Sequence, residues 1–266
     1  MMKTLVFDLE GSFAHFRKFY ANSTSLSYEF PPRTAVCGMI AAILGIERDQ
    51  YYTLFAETEA FIAVQILRPT KRISQTVNYM WVKSLKDLNG SAGRMQIPLE
   101  WVVRREGVGS GLLAYRIYFA HRNPDVQQKM TSLLSREHTC YPLYLGITEA
   151  PAAVRYVGEA EAVEVASNGQ PVEIVTVCPI HLLEDITYPQ FKDKKRMYMR
   201  DRIPCAFDQN RKLAGITQVI YEPGGQGVMA IPKKSFVRLA AKEQSVCLMP
   251  LISEQTWSDG RVLLSS

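Results

Sequence analysis

The chain has 266 residues, 47% of them hydrophobic and 10% aromatic, enough for one large core or two small ones. Its 31 lysines and arginines against 26 acids leave a net charge of +5, a mild basic excess that permits nucleic-acid contact without demanding it. Five cysteines stand singly with no C-x-x-C pair, no signal sequence is evident, and the longest apolar run, residues 35–46, is well short of the roughly 20 that span a bilayer. These features speak against zinc, thioredoxin-like and membrane-spanning classes, and a reducing cytoplasm is the expected location.

Met2–Leu9 alternates, with Leu5, Phe7 and Leu9 on one face, and predicts a half-buried strand. A polar and aromatic loop then runs from Gly11 to Pro32. Pro31 and Pro32 hold the backbone extended, and Thr34 is placed to cap a helix that starts just after it and ends near Ile46. That helix is apolar nearly all round, so it is expected in the core, with Gly38, Ala41 and Ala42 allowing close approach to a sheet. Arg33 at its mouth, beside free N–H groups and the positive dipole end, predicts an anion or phosphate site. The plainer alternative is a core helix with an ordinary cap.

Phe61–Leu67 and Ala114–His121 are predicted strands. Asn123-Pro124-Asp125 starts a second helix, with Val126, Met130, Leu133 and Leu134 as its apolar stripe. Val154–Val165 supplies a fourth strand, with Glu159, Glu161 and Glu164 read as a solvated strand edge. The order is strand, helix, strand, insertion, strand, helix, strand, which predicts an α+β ferredoxin-like or RRM-like core over residues 1–168. Short runs at Val172–Val177, Gly215–Tyr221 and Val228–Ile231, broken by Pro223-Gly224-Gly225, predict a β-rich extension over 169–266.

The insertion at about 69–112 concentrates charge. Between residues 68 and 105, Arg68, Lys71, Arg72, Lys83, Lys86, Arg94, Arg104 and Arg105 face only Asp87 and Glu100, an excess of six. Tyr79, Trp81 and Trp101 are interleaved with them. Cations for phosphates and rings for bases are what holds single-stranded nucleic acid. A solvated hairpin with its aromatics packed on its base is the equal alternative. A second cluster, Lys192, Lys194, Lys195, Arg196, Arg200 and Arg202, is read as a solvated turn and strand or as a further contact with RNA or a large subunit. Asp8 and Glu10 share a strand face but have no histidine nearby in sequence, so they make only a weak metal pair. Gly107–Gly111 lacks the Gly-Lys-Thr of a P-loop. His121 and His138 end a strand and a helix and are expected to be structural.

The runs Gly11-Ser12-Phe13-Ala14-His15-Phe16-Arg17-Lys18, Ser27-Tyr28 and Phe30-Pro31-Pro32-Arg33-Thr34-Ala35-Val36-Cys37-Gly38-Met39 resemble the N-terminal signature of the Cas-five family, RAMP-superfamily subunits of type I CRISPR surveillance (Cascade) complexes. The Tyr-x-Phe-Pro-Pro-Arg-Thr element is most similar to the subtype I-B branch. Tyr141-Pro142-Leu143-Tyr144-Leu145-Gly146, followed by Pro151, resembles the loop with a Leu-Gly pair before the last core strand of RAMP proteins. The resemblance spans about residues 1–165.

It implies an antiviral-defence subunit that binds RNA, caps the 5′ handle of a crRNA, and uses the insertion as a thumb. The residues implied are Phe16, Arg17, Lys18 and Tyr28 of the loop, Arg33 and Thr34 at the helix, and Lys71, Arg72, Asn78, Tyr79, Trp81 and Lys83 of the thumb. The implied partners are the crRNA, Cas-seven backbone subunits and a Cas-eight large subunit, with target DNA near the PAM left open; no cofactor, metal or membrane is implied. The runner-up is a metal-independent endoribonuclease that processes precursor crRNA. His15, Tyr20 and Lys18 are the residue types for its base, acid and cation. The subtype I-C relative uses a Tyr with a Lys-His pair, and no adjacent Lys-His pair exists here.

Overall fold

The computed structural model describes residues 2–21, 24–187, 196–240 and 246–254. Strand β1 (Met2–Gly11) leads through the short strands β2 (Phe16–Arg17) and β3 (Ser27–Tyr28) into helix α1 (Arg33–Leu44). Then come β4 (Ala60–Ile66), β5 (Thr70–Met80), β6 (Arg94–Arg104), β7 (Leu113–His121), α2 (Pro124–Leu134), β8 (Leu143–Tyr144) and the long β9 (Pro151–Ala166). The remaining strands among the described residues are β10 (Val172–Ile174), β11 (Cys178–Pro179), β12 (Leu183–Ile186), β13 (Met199–Phe207), β14 (Leu213–Tyr221), β15 (Val228–Pro232), β16 (Ser235–Ala240) and β17 (Val246–Leu248).

Four strands, β9-β1-β7-β4, lie side by side with every pairing antiparallel, and a helix follows β1 and another follows β7. Residues that alternate along the strands decide the two faces. Leu5, Phe7, Leu9, Ile62, Val64, Tyr115, Ile117 and Phe119 meet Val36, Ile40 and Ile43 of α1 and Met130 and Leu134 of α2 in one core.

The second face is buried as well. Thr4 through Leu9 are all buried, so β1 is not the half-solvated strand its alternation predicts. The cause is the sheet's far side. Beyond β9 it continues through β16, β17, β10, β15 and β12. The chain leaving β10 and β17 then returns to the free edge of β4, where Val177 N–H donates to the Val64 carbonyl at 2.8 Å and Leu251 N–H to that of Ile62 at 2.9 Å. The sheet therefore curls round a second core of Val6, Phe61, Ala63, Tyr118, Ala120, Ala162, Val237, Leu239 and Leu248. β9 has partners on both sides, so Glu159, Glu161 and Glu164 sit on an interior strand and not at an edge.

Helix α1 begins at Arg33 with Pro32 as its cap residue, and Thr34 lies inside the first turn with no capping side chain present. The expectation for Thr34 fails because Pro32, extended at ψ 160°, already turns the chain into the helix. Gly38 approaches Tyr51 and not the sheet, since a Cβ there would lie 3.3 Å from the tyrosine hydroxyl oxygen. Helix α2 starts as the sequence predicts: Asn123 Oδ1 accepts from Asp125 N–H at 2.9 Å, with Pro124 at the first position. The strands β11, β14 and β13 form a small sheet whose Ile203, Cys205, Val219 and Tyr221 join the first core.

Candidate nucleic-acid interface

The loop after β1 and the loop before β9 are built against each other. His15 N–H donates to the Leu145 carbonyl at 3.0 Å, and Leu145 N–H donates to Ala150 at 2.7 Å. Gly146 has φ 93°, and a Cβ there would fall 2.1 Å from the His15 carbonyl oxygen. Glycine is required by both backbone angle and contact. The two segments that carry the resemblance thus share one contact.

Much of the loop predicted to meet RNA faces inward. Phe16 is buried and sets its ring edge against Tyr115, centroids 5.9 Å apart. Tyr28 is fully buried and its hydroxyl donates to the Arg202 carbonyl at 2.6 Å. Lys18 is buried and pairs with Asp201 at 2.6 Å, its Nζ 5.4 Å from the Tyr28 ring centroid. Burial holds the Tyr28 phenol well above its usual pKa, and the nearby Asp201 charge adds to the effect. Tyr20 donates to the other Asp201 oxygen at 2.8 Å while keeping its ring partly in solvent.

Arg33 overturns its expectation most fully. Its side chain is 1% exposed, and its guanidinium donates to the carbonyls of Cys205 (3.1 Å), Phe55 (2.9 Å), Ala56 (3.3 Å) and Ala60 (3.1 Å). The planar fork bridges β13 to the turn before β4. A group so enclosed holds carbonyls together and does not meet a phosphate. His15 is likewise enclosed, with Nδ1 2.7 Å from the Glu100 carbonyl oxygen and Nε2 3.0 Å from Ser25 Oγ. Its pKa is lowered chiefly by burial, which outweighs the Glu100 contact.

The insertion is a hairpin. β5 and β6 pair residue for residue from Thr70↔Arg104 to Met80↔Arg94. Its base is fixed by Ala14 against Val102, by Ser25 beside Leu99, and by Thr70 N–H donating to Pro223 at 2.9 Å. Trp101 packs there edge-on against Phe13, centroids 5.1 Å apart. So one predicted ring belongs to the base, whereas Tyr79 and Trp81 stand at the far end.

The cations divide in the same way. Arg72 is half-buried between Glu29 (3.2 Å) and Glu100 (3.5 Å); burial lowers its pKa but the two carboxylates outweigh that. Arg68 meets Glu10, and Arg104 meets Glu106. Lys83 lies 4.8 Å from the Trp81 ring centroid. Among the described residues Lys71, Lys86, Arg94 and Arg105 have no carboxylate partner within 4.0 Å. Asn78, Tyr79, Lys83, Lys86 and Arg94 are exposed and Trp81 half-buried, and Leu85 at the tip is 86% exposed.

Asp8 is held by Arg116 through two bonds of 2.8 and 2.9 Å, and Glu10 by Arg68 and Arg155, so arginines occupy the oxygens a metal would need. Among the described residues no group of three or more His, Cys, Asp or Glu is placed to hold a metal ion. No helix among them is long and apolar enough to cross a membrane. Arg17 is exposed. Lys192, Lys194 and Lys195 lie outside the described residues, and Arg196 is engaged with Glu173 and Gln226. The residue the sequence reading missed is Phe19, 37% exposed, whose ring lies beneath Arg202 of the second basic cluster; the adjacent Phe19-Tyr20 pair in a polar loop is the available signal.

Residues 4–120 match the family model Cas_Cas5d, described as CRISPR-associated protein (Cas_Cas5). Over that stretch the chain is similar to Cas5-family sequences. The match takes in the loop, α1 and the whole hairpin, and it does not separate subtype I-B from other branches. No curated protein matches the sequence. Among solved structures, one described as "CRISPR RNA-guided surveillance complex" is 14% identical with a TM-score of 0.43, covering 86% of this chain and 91% of that one. A "Crystal Structure of CRISPR-associated Protein" is 12% identical with a TM-score of 0.35, covering 87% and 94%. A "Crystal structure of Cas protein" is 16% identical with a TM-score of 0.34, covering 56% of this chain and 62% of that one, so the chain spans less than two thirds of it.

Proposed function

We propose that the chain is a cytoplasmic, non-catalytic RNA-binding subunit of a type I CRISPR surveillance complex that holds the 5′ handle of the crRNA between its hairpin and the loop after β1. The strand order β9-β1-β7-β4 with its two helices supports reading the core as ferredoxin-like, of the RAMP kind. RRM-type cores stack bases on the open sheet face. Here that face is sealed by Val177, Leu251 and the strands beyond β9, which leaves loops and hairpin for RNA. The observation that carries the reading is the far half of the hairpin, where Tyr79 and Trp81 stand among Lys83, Lys86 and Arg94. Cas-seven and Cas-eight type subunits are the protein partners this reading names, and subtype I-B the branch.

Binding is favoured over cleavage by the state of the three candidate groups. Both His15 nitrogens are engaged and Lys18 is paired with Asp201, so of the trio only Tyr20 reaches solvent. The test incubates the full chain with repeat-derived RNA in EDTA. The expected result is a shifted, uncut RNA whose affinity falls steeply with salt and drops when Lys83, Lys86 and Arg94 are changed to glutamate. Cleavage at one site, lost in His15→Ala, would establish the endoribonuclease instead.

A further inference from the structure

The turn after β2 holds a feature that neither the core nor the hairpin uses. Phe19 and Tyr20 are adjacent, 37% and 44% exposed, with rings edge-to-face at 5.2 Å and 86°. They are held rigidly. Tyr20 donates to Asp201 Oδ1 at 2.8 Å, and Asp201 Oδ2 accepts from the buried Lys18 ammonium at 2.6 Å, which lies 5.7 Å from the Tyr20 ring centroid. Arg202 follows Asp201 on β13; its backbone N–H donates to Asp201 Oδ1 at 2.8 Å and its guanidinium carbon stands 6.0 Å from the Phe19 centroid. Arg17 is exposed and reaches the Ala21 carbonyl at 3.5 Å.

Two large rings fixed in solvent leave apolar surface wet, and a buried ion pair is a costly way to hold a loop. What the ion pair produces is a fixed Tyr20 ring, with Arg202 against the adjoining Phe19 ring and the exposed Arg17 two residues before it in the chain. The one carboxylate in the cluster is turned inward to Lys18 and Tyr20, so the outward charge is positive.

We propose that Phe19 and Tyr20, flanked by Arg17 and Arg202, form a stacking shelf for bases of single-stranded RNA, with the two guanidiniums meeting its phosphates. This deepens the function proposed above and rests on RNA being the ligand. Rings held in place lose little freedom on binding, and every base offers a face to stack on, so the shelf reads shape and not sequence. Charge decides for nucleic acid over an acidic-poor protein surface: both flanking groups are cations, and Lys18 is already neutralised.

The test measures binding of the full chain to repeat-derived RNA, intact and with single abasic positions scanned along it. Phe19→Leu keeps bulk and removes the aromatic face; Arg202→Gln removes a charge; the glutamate variant of Lys83 and Lys86 reports on the hairpin independently. Phe19→Leu is expected to weaken intact RNA about tenfold, with that loss vanishing for the abasic position that faces the shelf. Arg202→Gln is expected to lower the salt dependence by about one phosphate. If the hairpin variant weakens binding while Phe19→Leu and Arg202→Gln bind like the parent, the shelf is refuted and the RNA-binding reading stands. If the parent binds no RNA, both fall. A Phe19→Leu loss that is the same at every abasic position, or one seen only in association with a protein subunit, also refutes stacking.

Discussion

Replacing Arg33 by alanine tests the inward reading of the helix mouth. The change removes the donors of four carbonyls, those of Cys205, Phe55, Ala56 and Ala60, in a place where the side chain is 1% exposed. A buried acceptor left without a partner costs about 1–3 kcal/mol. The Ala56 carbonyl keeps the N–H groups of Glu59 and Ala60, so the other three set an upper range of roughly 3–9 kcal/mol, which entering water and relaxation reduce toward the lower end. A loss of about 3 kcal/mol is a large part of the 5–15 kcal/mol that usually holds a domain together. At about 2–4 °C per kcal/mol for a chain of this size, the melting temperature should fall by at least about 6 °C. Arg33→Lys should recover less than half, because one ammonium on a flexible stem does not span from β13 to the turn at residues 55–60. Thermal unfolding of the three proteins gives the comparison, with RNA affinity measured well below the lowest transition. The reasoning is refuted if Arg33→Ala melts with the parent and instead loses RNA affinity tenfold, since the guanidinium would then act outward on phosphate.

Gly146→Ala should destabilise the chain and loosen the loop at residues 11–18, since its Cβ lies 2.1 Å from the His15 carbonyl oxygen; hydrogen exchange at His15 N–H reads the loop directly. Lys18→Met alone should cost about 3–5 kcal/mol because it leaves Asp201 buried and unpaired; Lys18→Met with Asp201→Leu should recover most of it, and denaturant midpoints decide. Stability should decline as pH falls below the ordinary histidine value of 6.5, because burial depresses the His15 pKa in the folded state, so protons bind the unfolded chain more strongly. His15→Gln should flatten that decline in melting temperature between pH 7.5 and 5.5, and an unchanged slope would assign it to other groups.

The elements were largely legible because period-two and period-3.6 patterns follow directly from which faces are buried. β7, α2 and its Asn123 cap fall where the sequence puts them. Side-chain direction was not legible. Arg33 and Lys18 read as outward cations because charge is costly inside, and their partners, the Cys205 carbonyl and Asp201, come from β13 more than 170 residues later. The same distance hid the sealed sheet face, since nothing local in Phe61-Ile62-Ala63-Val64 announces that Val177 and Leu251 will bond to it. The nearer of the two carboxylates beside Arg72 was hidden for a similar reason: Glu29 sits before α1 and outside the window in which the hairpin's charge was counted. Tyr79 and Lys83 are exposed and Trp81 half-buried, since a two-stranded arm has too little mass to bury them.

The return of the chain to β4 also sets an order for folding. Ile62 and Val64 are made early, yet their edge is completed by Leu251 and Val177, and Ser253 closes on Glu57 through two bonds of 2.6 and 2.7 Å. Until residue 251 has left the ribosome, Val6, Phe61, Ala63, Tyr118 and Ala120 line an unfinished surface. Contacts of such long sequence separation form slowly and leave apolar strands open to wrong partners meanwhile. The nascent chain is therefore most exposed to aggregation during synthesis of its second half, and a translational pause there would lengthen the hazard.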